Sequence, residues 1–226
     1  MALLEVCCGN PESVDAAVAG GARRIELCAS LEQDGLTPPV SWLRAIRAKY
    51  PSLRIHVLIR HRAGDFVYTP DEVDTMVLQI EEALKAGADG IVIGALTPAG
   101  DIDLPAMERL VSAAGNASIT FHRAFDVCRA PFEALEQIIG LGCDRILTSG
   151  QEATAEAGAA RLGELRRRTR GRIGILPGGG VTPGNAARIL AATGYAEIHA
   201  SASVTRDGKK VTDAGKVAEI LRAING

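Results

Sequence analysis

The stretch "TFHRAFD", Thr120 to Asp126, sets an imidazole, a guanidinium and a carboxylate directly behind the beta-branched run "SIT". Polar groups at the end of an apolar strand are costly unless they pair with each other or are used. A second feature occurs twice: "LEVC", Leu4 to Cys7, and "IELC", Ile25 to Cys28, each place a Glu two residues ahead of a Cys. Side chains alternate along a strand, so Glu5 shares a face with Cys7, and Glu26 with Cys28. Neighbouring strands lie about 4.8 Å apart. If both pairs face one axis, two thiols meet with two carboxylates a layer below, unless the stagger of a closed sheet moves them out of step.

Three chemistries fit this set. Two thiolates suit a soft monovalent ion such as Cu(I), whereas the C-x2-C spacing of a structural zinc site is missing. The adjacent Cys7 and Cys8 point to opposite faces, so they make no vicinal chelate; one residue of register decides which of them meets Cys28. Alternatively, the thiols pack and the carboxylates serve as counter-ions to Arg60, Arg62 and Arg123. In the third case His122, Glu5 and Glu26 are acid/base candidates of an enzyme, with Asp126 orienting Arg123 or His122.

Further along, "PGGGV" (Pro177 to Val181) and "HASAS" (His199 to Ser203) follow two late strands. Glycine there serves a tight turn, but barrel enzymes also build phosphate sites at this place from backbone N–H groups. Gly179, Gly180, Ser149, His199 and Ser201 are therefore expected to line an anion site. Arg60, Arg62 and Arg123 would supply guanidinium forks that match carboxylate or phosphate.

These residues need a scaffold that gathers strand ends. "GARRIEL", "GADGIVI", "GCDRILT" and "GYAEIHA" each start on a Gly where an amphipathic run stops, then rise into a branched apolar strand. "LLEVC", "RIHVLIR", "SITFHR" and "RIGILP" fill the gaps, giving eight strands that alternate with helices. Helix starts are expected at Asn10-Pro11, at the capping box "TPDE" from Thr69, and at Thr182-Pro183. Strict alternation implies a parallel sheet, and eight units predict a single (β/α)8 TIM-type barrel domain over residues 1–226. No G-x-G-x-x-G follows the first strand, which argues against an open dinucleotide-binding sheet.

Composition narrows the function. Aromatics make up only 4% of the chain against 47% hydrophobic residues, so small aliphatics must pack the core, as in sheets buried on both faces. A net charge of -2 gives no basic field for nucleic acid or an anionic membrane surface. The start, "MALLEVCCGN", has neither a basic leader nor a long apolar run, so a cytoplasmic protein is expected. Five cysteines, an odd number, argue against a disulfide framework; Cys143 is expected to be a small buried hydrophobe. None of Lys49, Lys85, Lys209, Lys210 and Lys216 is expected at a strand end, which argues against a Schiff-base aldolase. Neither G-x-S-x-G nor H-E-x-x-H is present, and no organic cofactor is indicated. His56 reads as a satisfied core histidine and His61 as a solvated one.

The chain resembles the CutC family nearly end to end. The resemblance rests on "LEVCCGNPES", "GARRIELCASLEQDGLTPP", "RHRAGDFVY", "TFHRAFDV", "RILTSGQ" and "EIHASA". It implies a TIM-type barrel, a tendency to form homo-oligomers, and a copper role with Cu(I) held by cysteines near the ends of the first two strands, here Cys7 or Cys8 together with Cys28. Family members often carry a longer segment after the eighth strand than "SVTRDGKKVTD". Two functions are therefore expected to compete: copper homeostasis through thiolates, and acid/base catalysis on a small anionic, phosphorylated or sugar-like metabolite. The first depends on Cys7 and Cys28, the second on His122 and Arg60.

Overall fold

A computed structural model describes residues 1–206 and 209–226; Asp207 and Gly208, in the segment after the eighth strand, lie outside the described residues. The strands are β1 (Leu3–Cys8), β2 (Arg24–Leu27), β3 (Arg54–Leu58), β4 (Gly90–Ile93), β5 (Ser118–Phe121), β6 (Arg145–Thr148), β7 (Gly174–Pro177) and β8 (Glu197–Ala200). All pair in parallel in the order β7-β6-β5-β4-β3-β2-β1-β8. Among the described residues, β7 and β8 are joined by one bridge, Gly178 to His199, so the barrel is nearly closed. The helices around it are α1 (Pro11–Ala19), α2 (Val40–Lys49), α3 (Pro70–Lys85), α4 (Leu104–Ala114), α5 (Pro131–Gly140), α6 (Ala159–Thr169), α7 (Ala186–Thr193) and α8 (Ala214–Asn225). This is the eight-fold alternation expected from the sequence.

The local signals act as their chemistry requires. The Asn10 side chain accepts from Ser13 N at 2.7 Å ahead of Pro11, and Thr69 with Glu72 forms a reciprocal capping box on α3. Gly194 closes α7 at φ 70°, a left-handed conformation that favours glycine. One start differs. α7 begins at Ala186 rather than at Pro183, because Asn185 Oδ1 folds back to accept from Thr182 N at 2.8 Å and ties residues 182–185 into a turn. A feature absent from the sequence reading is an antiparallel hairpin, β9 (Ser203–Arg206) with β10 (Lys209–Thr212), set between β8 and α8.

The main core lies between sheet and helices, where Val6, Ile25, Ile55, Ile91, Ile146 and Ile175 meet Val14, Leu43, Met76, Leu110, Leu135 and Leu165. Each such side chain stabilises the fold by about 1.5–3 kcal/mol when fully buried. A second, small cluster fills the inside of the barrel: Cys28, Leu58 and Val92, with Cys7 and Leu31 against it. The barrel is thus plugged at the level of the thiols, and the polar residues lie below and above this plug.

Candidate functional site

On the axis, β1 and β2 pair so that Glu5 stands level with Arg24, and Cys7 with Glu26. This two-residue stagger separates the two E-x-C pairs in height, yet it leaves Cys7 Sγ 3.7 Å from Cys28 Sγ. Cys7 also donates to Glu26 Oε1 at 3.6 Å. Cys8 turns to the opposite face; it is fully buried in the core between sheet and helices and donates to Val6 O at 3.5 Å. Strand alternation therefore takes Cys8 away from the other two thiols. His199, brought by β8, completes the group: one ligand atom each from Cys7, Glu26 and His199 lies within 4.8 Å of the others.

The protons of this group are set by its surroundings. The hydrogen bond to Cys28 and then burial push the Cys7 thiol well up. Burial also raises the Glu26 carboxyl, whose Oε2 is buried without a partner. Burial works against a charged His199, but the Glu26 charge and bonds to Cys7 and Glu5 outweigh it and raise His199 well above the ordinary value. At neutral pH the group therefore combines a protonated Cys7 thiol with an imidazolium.

Glu5 sits one layer down, fully buried. Its Oε2 lies 2.8 Å from Arg24 Nε and 2.9 Å from His56 Nδ1, and its Oε1 lies 2.9 Å from His199 Nδ1. Burial would raise this carboxyl; the bonds from His199 and His56, with the charges of His56 and Arg24, win and hold it well below the usual range. Arg24 Nη2 donates onward to Glu197 Oε2 at 2.6 Å, and Arg145 closes on the same carboxylate at 3.3 Å. Glu5 is thus locked in an ion network, and His56 is the satisfied core histidine the sequence suggests. Arg24, 1% exposed, was not foreseen. Its signal was present: it stands two residues before Glu26 in "RIEL", on the same face.

Above the plug, Arg60 leaves β3 and is spent on backbone. Nη1 donates to Gln33 O (2.8 Å) and Gly35 O (3.1 Å), and Nη2 to Gly64 O (2.8 Å). Its guanidinium lies 5.1 Å from the centroid of the Phe66 ring, which in turn meets the His122 ring at 4.9 Å between centroids. His122 Nδ1 accepts from Ala124 N at 3.2 Å and caps the 3-10 turn Arg123–Val127. Burial, with the charge of Arg60, lowers the His122 pKa to about 3, so the ring is neutral.

Asp126 accepts from Arg123 Nε (2.7 Å), Ser149 N (3.0 Å), Gln151 N (3.2 Å) and the Thr148 hydroxyl. It therefore orients Arg123 and the loop after β6, while His122 takes its bond elsewhere. Arg123 Nη2 donates to Ser149 Oγ at 3.3 Å. The structure does not bring Arg62 to this group: its guanidinium pairs with Glu72 (2.7 Å) and Asp65 (2.9 Å) and stacks over Tyr68, holding its own loop. His61 is exposed.

A cavity of about 370 Å³ opens at the mouth between Cys7, Arg123, Gly179, Gly180, His199, Ser201 and Lys216. Gly179 and Gly180 have φ of 100° and 68°, and a Cβ at Gly180 would lie 2.7 Å from Thr154, so side chains are excluded there. Lys216 carries no strand-end signal in the sequence, because a helix delivers it. It enters from the first turn of α8, where Asp213 caps the helix, and its Nζ donates to Ser203 O at 2.7 Å. Among the described residues, no helix is long and apolar enough to cross a membrane.

Comparison with known proteins agrees with the barrel fold. The CutC family model matches residues 2–204. A family protein CutC from Bacteroides fragilis is 54% identical over 200 residues, covering 88% of this chain and 80% of that one. Its counterpart from Bacteroides thetaiotaomicron is 53% identical over 198 residues, with the same coverage of 88% and 80%. The crystal structure of CutC from Streptococcus agalactiae, a protein named for copper homeostasis, superposes with a TM-score of 0.85 at 30% identity, covering 89% of this chain and 99% of that one.

Proposed function

Because the chain belongs to the CutC family, we propose that it takes part in copper homeostasis by binding Cu(I) between Cys7 and Cys28. The observation that carries this reading is the 3.7 Å separation of the two sulfurs on the barrel axis. Metal–thiolate bonds of about 2.3 Å span at most about 4.6 Å between two sulfurs, so a shift of under about 1 Å would seat an ion. Soft donors favour Cu(I), and His199 and the unpartnered Glu26 Oε2 stand beside them as further donors. Cys8, on the other face, has no part in this site. The thiols must lose their protons to bind, and His199 must lose one to serve as a donor, so affinity should rise with pH.

The test is an anaerobic Cu(I) competition titration against a strong chelator, comparing the parent with the Cys7→Ser/Cys28→Ser double variant. Tight stoichiometric binding lost in the variant supports the reading; weak binding shared by both removes it.

A second reading, that of an enzyme on a small anionic metabolite, is favoured by the mouth cavity itself. Its backbone-lined Gly179–Gly180 turn, Arg123 and Lys216 suit a phosphate or carboxylate. Under this reading the neutral His122 and the carboxyl of Glu26 are the acid/base candidates, Glu5 sets the charge of His199, and Asp126 positions Arg123. Activity would then survive loss of Cys28 and fail with loss of His122. A cytoplasmic location and homo-oligomerisation belong to the same proposal. Five free thiols support the first, and the family resemblance supports the second.

A further inference from the structure

Arg60 is 4% exposed, and all three of its hydrogen-bond acceptors are neutral carbonyls. Among the described residues no carboxylate is in ion-pair contact with it, and its Nε–H has no acceptor. A buried guanidinium without a counter-ion carries a large desolvation cost. Two further donors nearby share this state. His122 Nδ1 accepts from Ala124 N, which fixes the neutral tautomer with hydrogen on Nε2, and that Nε2 is buried without a partner. The Tyr68 hydroxyl, 7% exposed, makes no full hydrogen bond; burial pushes it up to about 12, against the pull of the Arg60 charge and a side-chain contact with Arg60. Phe66 touches both Arg60 and His122, 5.1 Å from the Arg60 guanidinium and 4.9 Å from the His122 ring between centroids. The loop that carries Phe66 is pinned by Leu96 N to Phe66 O at 2.8 Å.

We infer that Arg60, His122 and Tyr68 form a receptor for the carboxylate of a small organic acid, which supplies the missing counter-ion. This rests on the second reading above only in that a small anion enters the barrel mouth; it assigns the charged end to these donors, gives His122 an anchoring role and leaves acid/base work to Glu26. One fixed positive charge and a few single N–H or O–H donors match a monoanionic carboxylate. A phosphate dianion would leave charge uncompensated here and suits the Gly179–Lys216 side instead.

The experiment is an NMR titration of the intact, isotope-labelled chain with acetate and, separately, with inorganic phosphate. It follows the Arg60 Nε–H, the His122 Nε2–H and the Gly179 and Gly180 amides. The inference expects a saturable downfield shift of both side-chain signals with acetate. Shifts confined to Gly179 and Gly180 would overturn the carboxylate assignment and leave the anionic-metabolite reading standing. No saturable shift with either anion would overturn both.

Discussion

Replacing His122 by Asn should flatten the loss of stability in mild acid. Asn keeps an oxygen near the place of Nδ1, so the bond from Ala124 N at 3.2 Å can persist, but it cannot titrate. In the native chain His122 has a pKa of about 3, against an ordinary value of 6.5, chiefly through burial and then through the Arg60 charge. The unfolded chain thus takes up the proton first as pH falls. The contribution is present in full above pH 6.5 and drains between 6.5 and about 3. At about 1.36 kcal/mol per pH unit, the parent should lose about 2–3 kcal/mol from this group between pH 6.5 and 4.5. For a chain of this length that is roughly 5–10 °C in Tm. Urea unfolding at half-unit pH steps on both proteins isolates the term, because carboxylates and the other histidines cancel in the difference. Parallel curves for parent and variant would show that His122 is not held neutral by burial, and the reasoning would fail.

Three other outcomes follow from the same geometry. Glu5→Gln removes the charge facing Arg24, His56 and His199; Glu197 still compensates Arg24, so the cost should be about 3 kcal/mol, read from the urea midpoint at unchanged slope. Gly94→Ala would place a Cβ 2.6 Å from the His122 ring, costing about 1–3 kcal/mol and displacing the imidazole, which its NMR signals would report. The raised Cys7 thiol should alkylate more slowly at pH 8 than an unperturbed thiol, because less of it is thiolate; labelling at the rate of a free peptide cysteine would count against the buried pair.

The barrel was legible because its signals are local and repeated: a Gly at each helix end, an apolar strand behind it, and caps such as Asn10 and Thr69. That one thiol of the Cys7-Cys8 pair meets Cys28 was legible from strand alternation and the parallel neighbour relation; that it is Cys7 was not. Nor was register. Only the pairing of Glu5 with Arg24 shows that Glu5 serves an ion network below the thiols rather than standing beside Glu26. Arg60 and Arg62 look alike in "RHR", and alternation would put them on one face; the chain leaves β3 at Leu58, and the path of the loop takes Arg60 to backbone carbonyls and Arg62 to Glu72. Lys216 stands apart from the strand ends because it arrives on a helix after the β9–β10 hairpin, whose sequence signal, the Asp-Gly dipeptide in "TRDGKK", the count of eight strands left unread. The start of α7 shifted because an Asn side chain competed for a backbone donor that pattern alone cannot see.

The bridge between Gly178 and His199 makes the β7–β8 seam a clasp rather than a ladder. Both halves of that clasp lie at the cavity: His199 lines it, and Gly178 precedes the glycine turn. A side chain at Gly178 has no room, since its Cβ would lie 2.6 Å from Leu147 and 3.2 Å from His199. Anything seated in the mouth therefore also fastens the hoop, and anything that parts the hoop empties the mouth. Occupancy and wall integrity become one equilibrium, so amide exchange along β7 and β8 would act as a gauge of whether the barrel is loaded.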